Sequence, residues 1–266
     1  MKFNHIFKLT NENETHREYK CDNVNINIDF ISGSALRVAV FNDNAEMLPT
    51  FTVNPNNNLS SLGRSRLSVD GFDCVAPVVE KFENKEKFVL DCGVTVDLDL
   101  NNFILSYSKE SKLLFADRAP LAYNFEGEFG NGSYHYITRE DDEHIFGLGD
   151  KSGLINKAGQ VYRVETADSM GFDAEKTDPL YKHVPFYICE NSVGAYGIYY
   201  DTTDTSFVDL GREINNYYCH FKYFKTDDDC LVYYVFFGSK LSVLQQYARS
   251  VSYTHLRAHE TTLHLV

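Results

Sequence analysis

The chain has 266 residues, 43% of them apolar, and 25 basic against 38 acidic side chains, for a net charge of −13. That length and apolar share allow one large all-β domain or two ordinary ones, and they exclude global disorder. No basic stripe offsets the charge, so a nucleic-acid backbone and an anionic membrane surface are excluded as partners.

The opening residues, MKFNHIFKLTNENETHREYK, lack the apolar run of a signal peptide. No window approaches the roughly 20 apolar residues of a membrane span. The cysteines, Cys21, Cys74, Cys92, Cys189, Cys219 and Cys230, are scattered without a C-x-x-C pair. They are read as free buried thiols in a cytoplasmic protein. In that setting the Asn-x-Ser/Thr matches at Asn13, Asn58 and Asn131 carry no glycan.

In chain order, Val24, Ile26, Ile28 and Phe30 alternate with polar residues, as a half-buried strand does. Gly33 ends this run and LRVAVF begins another at Leu36. The Asn- and Ser-rich stretch Asn54 to Gly63 reads as a surface loop. Phe88 to Leu90, followed by Val94, Val96, Leu98 and Leu100, gives a further alternating run. FILSY and KLLFA flank SKES as a hairpin. VGAYGIYYD, NYYCHFKYF and CLVYYVFFG are strands rich in aromatic and β-branched residues. One helix is predicted at Ser239 to Arg249, with Leu241, Leu244 and Ala248 on one face and Tyr247 beside it. Many short strands with one helix predict an all-β fold, a large antiparallel β-sandwich with a short C-terminal helix.

The run Glu143 to Tyr187 is unlike the rest. It packs glycines, acidic residues and aromatics with no sustained helical period. This composition predicts a long ordered loop held against a sheet, a common setting for function. Gly147, Gly149, Gly153 and Gly159 permit turns that a Cβ resists. Asp168, Asp173 and Asp178 recur beside Phe172 and Tyr181, and carboxylates near aromatic faces suit an uncharged, hydroxyl-rich ligand. Asp173 and Asp178 are read as turn formers, with Asp178-Pro179 opening a turn. Tyr181 and Lys182 are read as loop supports, and His183 as a structural histidine. Gly147-Leu148-Gly149 lacks the Lys-Ser/Thr of a phosphate loop and reads as a sandwich corner. No cofactor and no metal is expected. With 20 Phe, 18 Tyr and no Trp, the aromatics are mostly core, and the absence of Trp speaks against a free-standing lectin.

FGLGDKSGLINKAG at Phe146 to Gly159, DSMGFDAEKTDPLYKHVPFYI at Asp168 to Ile188, and the later GAYGIYYD and YYVFFG resemble the N-terminal domain of glycoside hydrolase family 31, the α-glucosidase and α-xylosidase family. NNFILSYSKESKLLFADR upstream fits the same pattern, and the resemblance covers about residues 20 to 250. One departure is Asp150, where many members carry Glu. The resemblance implies a sandwich of galactose-mutarotase-like type preceding a (β/α)8 barrel. In that family the barrel holds the two catalytic carboxyl groups of a retaining glycosidase. It also implies that a sandwich loop reaches the substrate pocket with an aspartate that bonds a sugar hydroxyl. Asp168 matches that aspartate.

A (β/α)8 barrel takes about 250 residues. After the predicted helix the chain reads VSYTHLRAHETTLHLV, which does not resemble the family's link into a barrel. Residues 1–250 are therefore expected to be the sandwich and 251–266 a non-native tail, resembling a translated adapter and expected to be disordered. His255 and His259 in it have i, i+4 spacing, but His259-Glu260 with His264 misses H-E-x-x-H by one residue. The resulting expectation is a fragment of a retaining α-glycosidase, inactive alone, whose partners are an α-glycoside and the missing barrel. Two rivals are a stand-alone, non-catalytic carbohydrate-binding or scaffold sandwich and a free aldose mutarotase. The second needs a His–carboxylate pair in a sheet cleft, and none can be assigned from the sequence.

Overall fold

The computed structural model describes residues 6–56, 60–124, 132–212 and 221–251. The tail from residue 252 with its three histidines, Cys219, Asn58, Asn131 and the first half of NYYCHFKYF lie outside them.

The strands are β1 (Lys8–Glu12), β2 (His16–Cys21), β3 (Val24–Ser32), β4 (Ala35–Asn42), β5 (Val78–Lys81), β6 (Lys85–Val89), β7 (Val94–Asp99), β8 (Ile104–Lys109), β9 (Lys112–Ala116), β10 (Tyr123–Asn124), β11 (Ser133–Thr138), β12 (His144–Gly149), β13 (Val161–Val164), β14 (His183–Glu190), β15 (Ala195–Tyr200), β16 (Ser206–Asp209), β17 (Phe221–Thr226) and β18 (Cys230–Gly238). The single helix among the described residues is α1 (Lys240–Ser250). An eight-stranded sheet runs β1-β2-β3-β4-β18-β15-β14-β12. Two five-stranded sheets run β10-β11-β17-β16-β13 and β5-β6-β7-β8-β9. The strand pairings are antiparallel, as in β4 with β18 and β18 with β15. The chain is thus a large antiparallel β-sandwich with one short helix among the described residues.

Alternation along β18 explains the layering. Leu231, Tyr233, Val235 and Phe237 enter the main core together with Phe88, Leu105, Tyr162 and Phe224 of the two smaller sheets. Val232, Tyr234 and Phe236 point the opposite way, into a second core with Val53 and Val243. Successive strand residues face opposite sides, so a strand covered on both reads as a continuous apolar run. On that far side the segment between β4 and β5 is held by Arg37, which is fully buried. Its guanidinium donates to the carbonyls of Arg66, Leu67 and Ser68 at 2.7–2.8 Å and pairs with Asp29. The expected surface loop is exposed at Asn56 and from Ser60 to Leu62, and the flanks of its segment, with Val53 and Arg66 buried, close the second core.

The run from Phe88 to Leu100 is two strands, β6 and β7, separated by a turn at Gly93 with φ +78°. FILSY and KLLFA form the expected hairpin, turning at Glu110 and Ser111 with φ of 51° and 61°. Both central residues at positive φ match the right-handed twist of the strands.

Helix α1 starts one residue later than expected. Ser239 is its N-cap and accepts from the Ser242 amide. Its buried face differs from the predicted one. Val243 is buried and Tyr247 stacks on Phe186 at 3.9 Å, whereas Leu241 and Leu244 are exposed. The cause lies in the sheet below. A Cβ on Gly197 of β15 would sit 2.5 Å from Val243 Cγ1, so this glycine lets the helix settle on Val243.

Candidate functional site

The stretch from Glu143 to Tyr187 is partly strand, because β12 and β13 lie within it and β14 begins at its end. Between them run two loops, 150–160 and 165–182. The glycines of FGLG are demanded by the sheet. At Gly147, φ +128°, a Cβ would meet Phe186 O at 2.5 Å; at Gly149, φ +78°, it would meet Lys182 O at 2.7 Å. Together with Leu148 at φ +70° they make the irregularity where β12 pairs with β14, a bulge that aims the chain outward.

The two loops are tied at their base by a cation and a carboxylate. Lys151 Nζ lies 2.8 Å from Asp178 Oδ1, its side chain wholly buried. Asp178 Oδ2 also accepts from the Arg163 amide at 2.6 Å, and Lys151 donates to the Arg163 carbonyl. Asp178 is thus a clamp between loop and strand rather than a turn former. Asp173 does form a turn, accepting from the Glu175 amide at 2.8 Å. The arms are joined by Gly153 N to Ala174 O at 2.8 Å and by Ala167 N to Leu180 O at 3.0 Å. At the hinge into β14, His183 Nδ1 lies 2.9 Å from Thr166 Oγ1, and burial pushes its imidazole below the ordinary value.

Asp168 lies at the outer end of this frame, exposed and in no ion pair among the described residues. Its neighbour is Tyr181, whose phenol it raises above the ordinary value through a hydrogen bond and its charge. Ser169 Oγ donates to Pro179 O at 2.8 Å, fixing the backbone beside it. Leu154, Ile155, Met170, Phe172 and Tyr181 are all exposed on the same loops, Met170 at 90%. An exposed carboxylate on loops that also expose apolar and aromatic side chains can accept hydrogen bonds from sugar hydroxyls while apolar side chains cover the ring.

A second polar set lies inside the sandwich and was not legible as a motif. His135 Nε2 is 3.0 Å from Asp117 Oδ1 and its Nδ1 is 3.0 Å from the Tyr200 hydroxyl; Tyr123 OH donates to Asp117 Oδ2 at 3.0 Å. Lys222 Nζ donates to Glu143 at 2.5 and 2.7 Å and to Tyr196 OH at 2.8 Å. Here is the His–carboxylate pair that a mutarotase reading requires, but both side chains are only 1% exposed. These networks hold the sheets together. Among the described residues no group of three or more His, Cys, Asp or Glu could hold a metal ion, and no helix is long and apolar enough to cross a membrane. Of the cysteines, Cys189 and Cys230 are buried, and Cys21, Cys74 and Cys92 are only partly so.

Residues 25–209 match the glycosyl hydrolase 31 N-terminal galactose mutarotase-like domain. The chain belongs to that family. It is 27% identical over 143 residues to alpha-glucosidase 2 of Bacillus thermoamyloliquefaciens, an alignment covering 53% of this chain and 17% of the relative. In three dimensions it resembles a Flavobacterium johnsoniae family 31 dextranase solved with glucose, with a TM-score of 0.75 and 22% identity over 93% of this chain and 28% of the dextranase. A mutant of that dextranase was solved with isomaltotriose. It also resembles the glucosidase II alpha subunit, with a TM-score of 0.69 and 10% identity over 94% of this chain and 34% of that subunit. This member of the family 31 N-terminal domains therefore spans about a sixth to a third of the relatives it matches.

Proposed function

We propose that this chain is the N-terminal sandwich of a retaining α-glycosidase acting on α-linked glucosides, and that loop 165–182 presents Asp168 to a sugar hydroxyl at the substrate pocket. The observation that carries the reading is the exposed Asp168 on a loop whose base is locked by Lys151 and Asp178. A ligand contact must be held in place by its surroundings to act in the transition state, and a buried clamp under an open carboxylate has that form. A retaining mechanism needs two carboxyl groups about 5–5.5 Å apart across the glycosidic bond. Those two groups are assigned to a barrel domain, and no turnover is assigned to this chain. The sandwich is given residues 1–250, with Val251 still packed against the second core and capping α1, and the rest of the tail to residue 266 is assigned no part in it. The setting is cytoplasmic, a reading supported by five unpaired cysteines among the described residues.

The test has two arms. The chain alone is incubated with a chromogenic α-glucoside, where turnover no greater than a buffer control is expected. The sandwich is then joined to a family 31 barrel and Asp168 is replaced by Ala. A charge-assisted hydrogen bond of about 1.5–3 kcal/mol predicts a fall in kcat/KM of roughly 10–150-fold. Turnover by the chain alone, or full activity in the joined Asp168→Ala enzyme, overturns the reading.

A further inference from the structure

The β5–β9 sheet turns its outer face away from the main core, and a groove of about 310 Å³ lies on it. The strand register sets out its floor, which Lys85, Asp97, Asp99, Ile104 and Ser106 line, with Lys87 just outside it. Lys87, Asp97 and Ser106 form one row across β6, β7 and β8; Lys85, Asp99 and Ile104 form the next. Side chains two apart share a face, so the six make a grid on which ammonium, carboxylate and hydroxyl stand side by side. Ala119 and Pro120 make one wall.

The groups in this grid are loosely committed. Lys87 Nζ is 4.0 Å from Asp97 and Lys85 Nζ is 3.6 Å from Asp99, both beyond hydrogen-bonding distance. Asp99 is oriented by Asn101, which donates to its Oδ1 from the backbone at 2.9 Å and from the side chain at 2.8 Å. Asp97 makes no hydrogen bond to any described residue, so both its oxygens retain acceptor capacity. Two carboxylates repel an anion and two ammonium groups repel a cation. A neutral polyol suits both, because each hydroxyl can donate to Asp97 and accept from a lysine. Ile104 and Pro120 offer apolar surface for the C–H face of a ring. The volume falls at the lower end of the about 300–1,000 Å³ of small-molecule sites.

We infer that this groove is a second carbohydrate site, binding a short neutral sugar through Asp97, Ser106 and Lys85, on strands that share no residue with the Asp168 loop. The inference rests on the glycosidase reading only for the choice of probe. Isomaltotriose is titrated into the isotope-labelled full chain while amide shifts are followed. Saturable shifts are expected at Asn101, Asn102 and Ser106. Asp97→Ala and Ser106→Ala should each weaken binding, Asp97→Ala at least tenfold, while Asp168→Ala leaves these shifts unchanged. A sugar phosphate and an amino sugar should bind no more tightly than the neutral sugar. Because the three sites of substitution lie at the surface, an unchanged amide spectrum elsewhere verifies the fold of each variant. No shifts in the unsubstituted chain, shifts confined to residues 165–182, undiminished binding by Asp97→Ala, or tighter binding of a charged sugar would each overturn the second site. None of these results bears on the activity of the joined enzyme.

Discussion

Lys151 and Asp178 stand 27 positions apart in sequence and meet at 2.8 Å beneath the loop that carries Asp168. Breaking a buried pair leaves one charge without its partner, a loss of about 3–5 kcal/mol. Asp178→Asn should therefore lower Tm by roughly 6–20 °C in a chain of this size. Limited proteolysis should find new cleavage within residues 165–182. A variant with unchanged Tm and unchanged cleavage would mean that the pair does not support the loop.

Asp168 should behave in the opposite way. It is exposed and in no ion pair among the described residues, so Asp168→Ala should leave Tm within about a degree of the parent. The same substitution removes the carboxylate that disfavours the Tyr181 phenolate. The phenol should then titrate at lower pH, closer to the ordinary range, which tyrosinate absorbance against Tyr181→Phe would register. An unmoved titration would place the two side chains apart in solution.

Two histidines give stability opposite pH slopes. His16 lies 2.6 Å from Asp29 and 2.9 Å from Glu18; the Asp29 hydrogen bond is the chief cause of its raised pKa. A folded value above the unfolded one, about 6.5, means its contribution is complete below that pH and is lost as pH rises through the higher folded value. Burial lowers His183, so its contribution runs the other way: stability falls as pH drops from about 6.5 through the folded value. Denaturant unfolding across this range should show His16→Gln flattening the decline above pH 6.5 and His183→Gln flattening the one below. A His16→Gln curve parallel to the parent's would show that the Asp29 contact does not favour the charged imidazole.

The helix seat can be tested through Gly197. Its missing Cβ would lie 2.5 Å from Val243 Cγ1 and 2.9 Å from Phe186 Cε2. Gly197→Ala should cost about 1–3 kcal/mol by overpacking. Adding Val243→Ala should recover part of that loss, and a double-mutant cycle would measure the coupling. Strict additivity would show that the helix does not rest on this glycine.

Alternation made most strands readable from sequence, because one face of each was polar. It failed where both faces are covered. Tyr233 and Tyr234 are neighbours in β18 yet enter different cores, and no period distinguishes them. The helix face was misread because Leu241 and Leu244 outweigh Val243 in hydrophobicity, while the deciding residue, Gly197, belongs to another element. In the loop, the glycines and acidic residues marked the region, but the partnership of Asp178 with Lys151 depends on a meeting across the fold. The buried charges did leave a trace. His135 alternates with Tyr134 and Tyr136 and shares the inward side with Ile137, and Lys222 shares it with Phe224. A titratable residue in a core position of a strand signals a buried partner, though not its identity.

Strand β18 occupies the middle of the eight-stranded sheet, between β4 from early in the chain and β15 from late in it. Until residues 230–238 have been synthesised, β4 and β15 each present an open edge, and the residues that will line both cores lack their central layer. Open strand edges recruit other chains, and pairings this distant in sequence form slowly. The emerging polypeptide therefore stays vulnerable for most of its translation, and the sheet closes only when nearly the whole sandwich has left the ribosome.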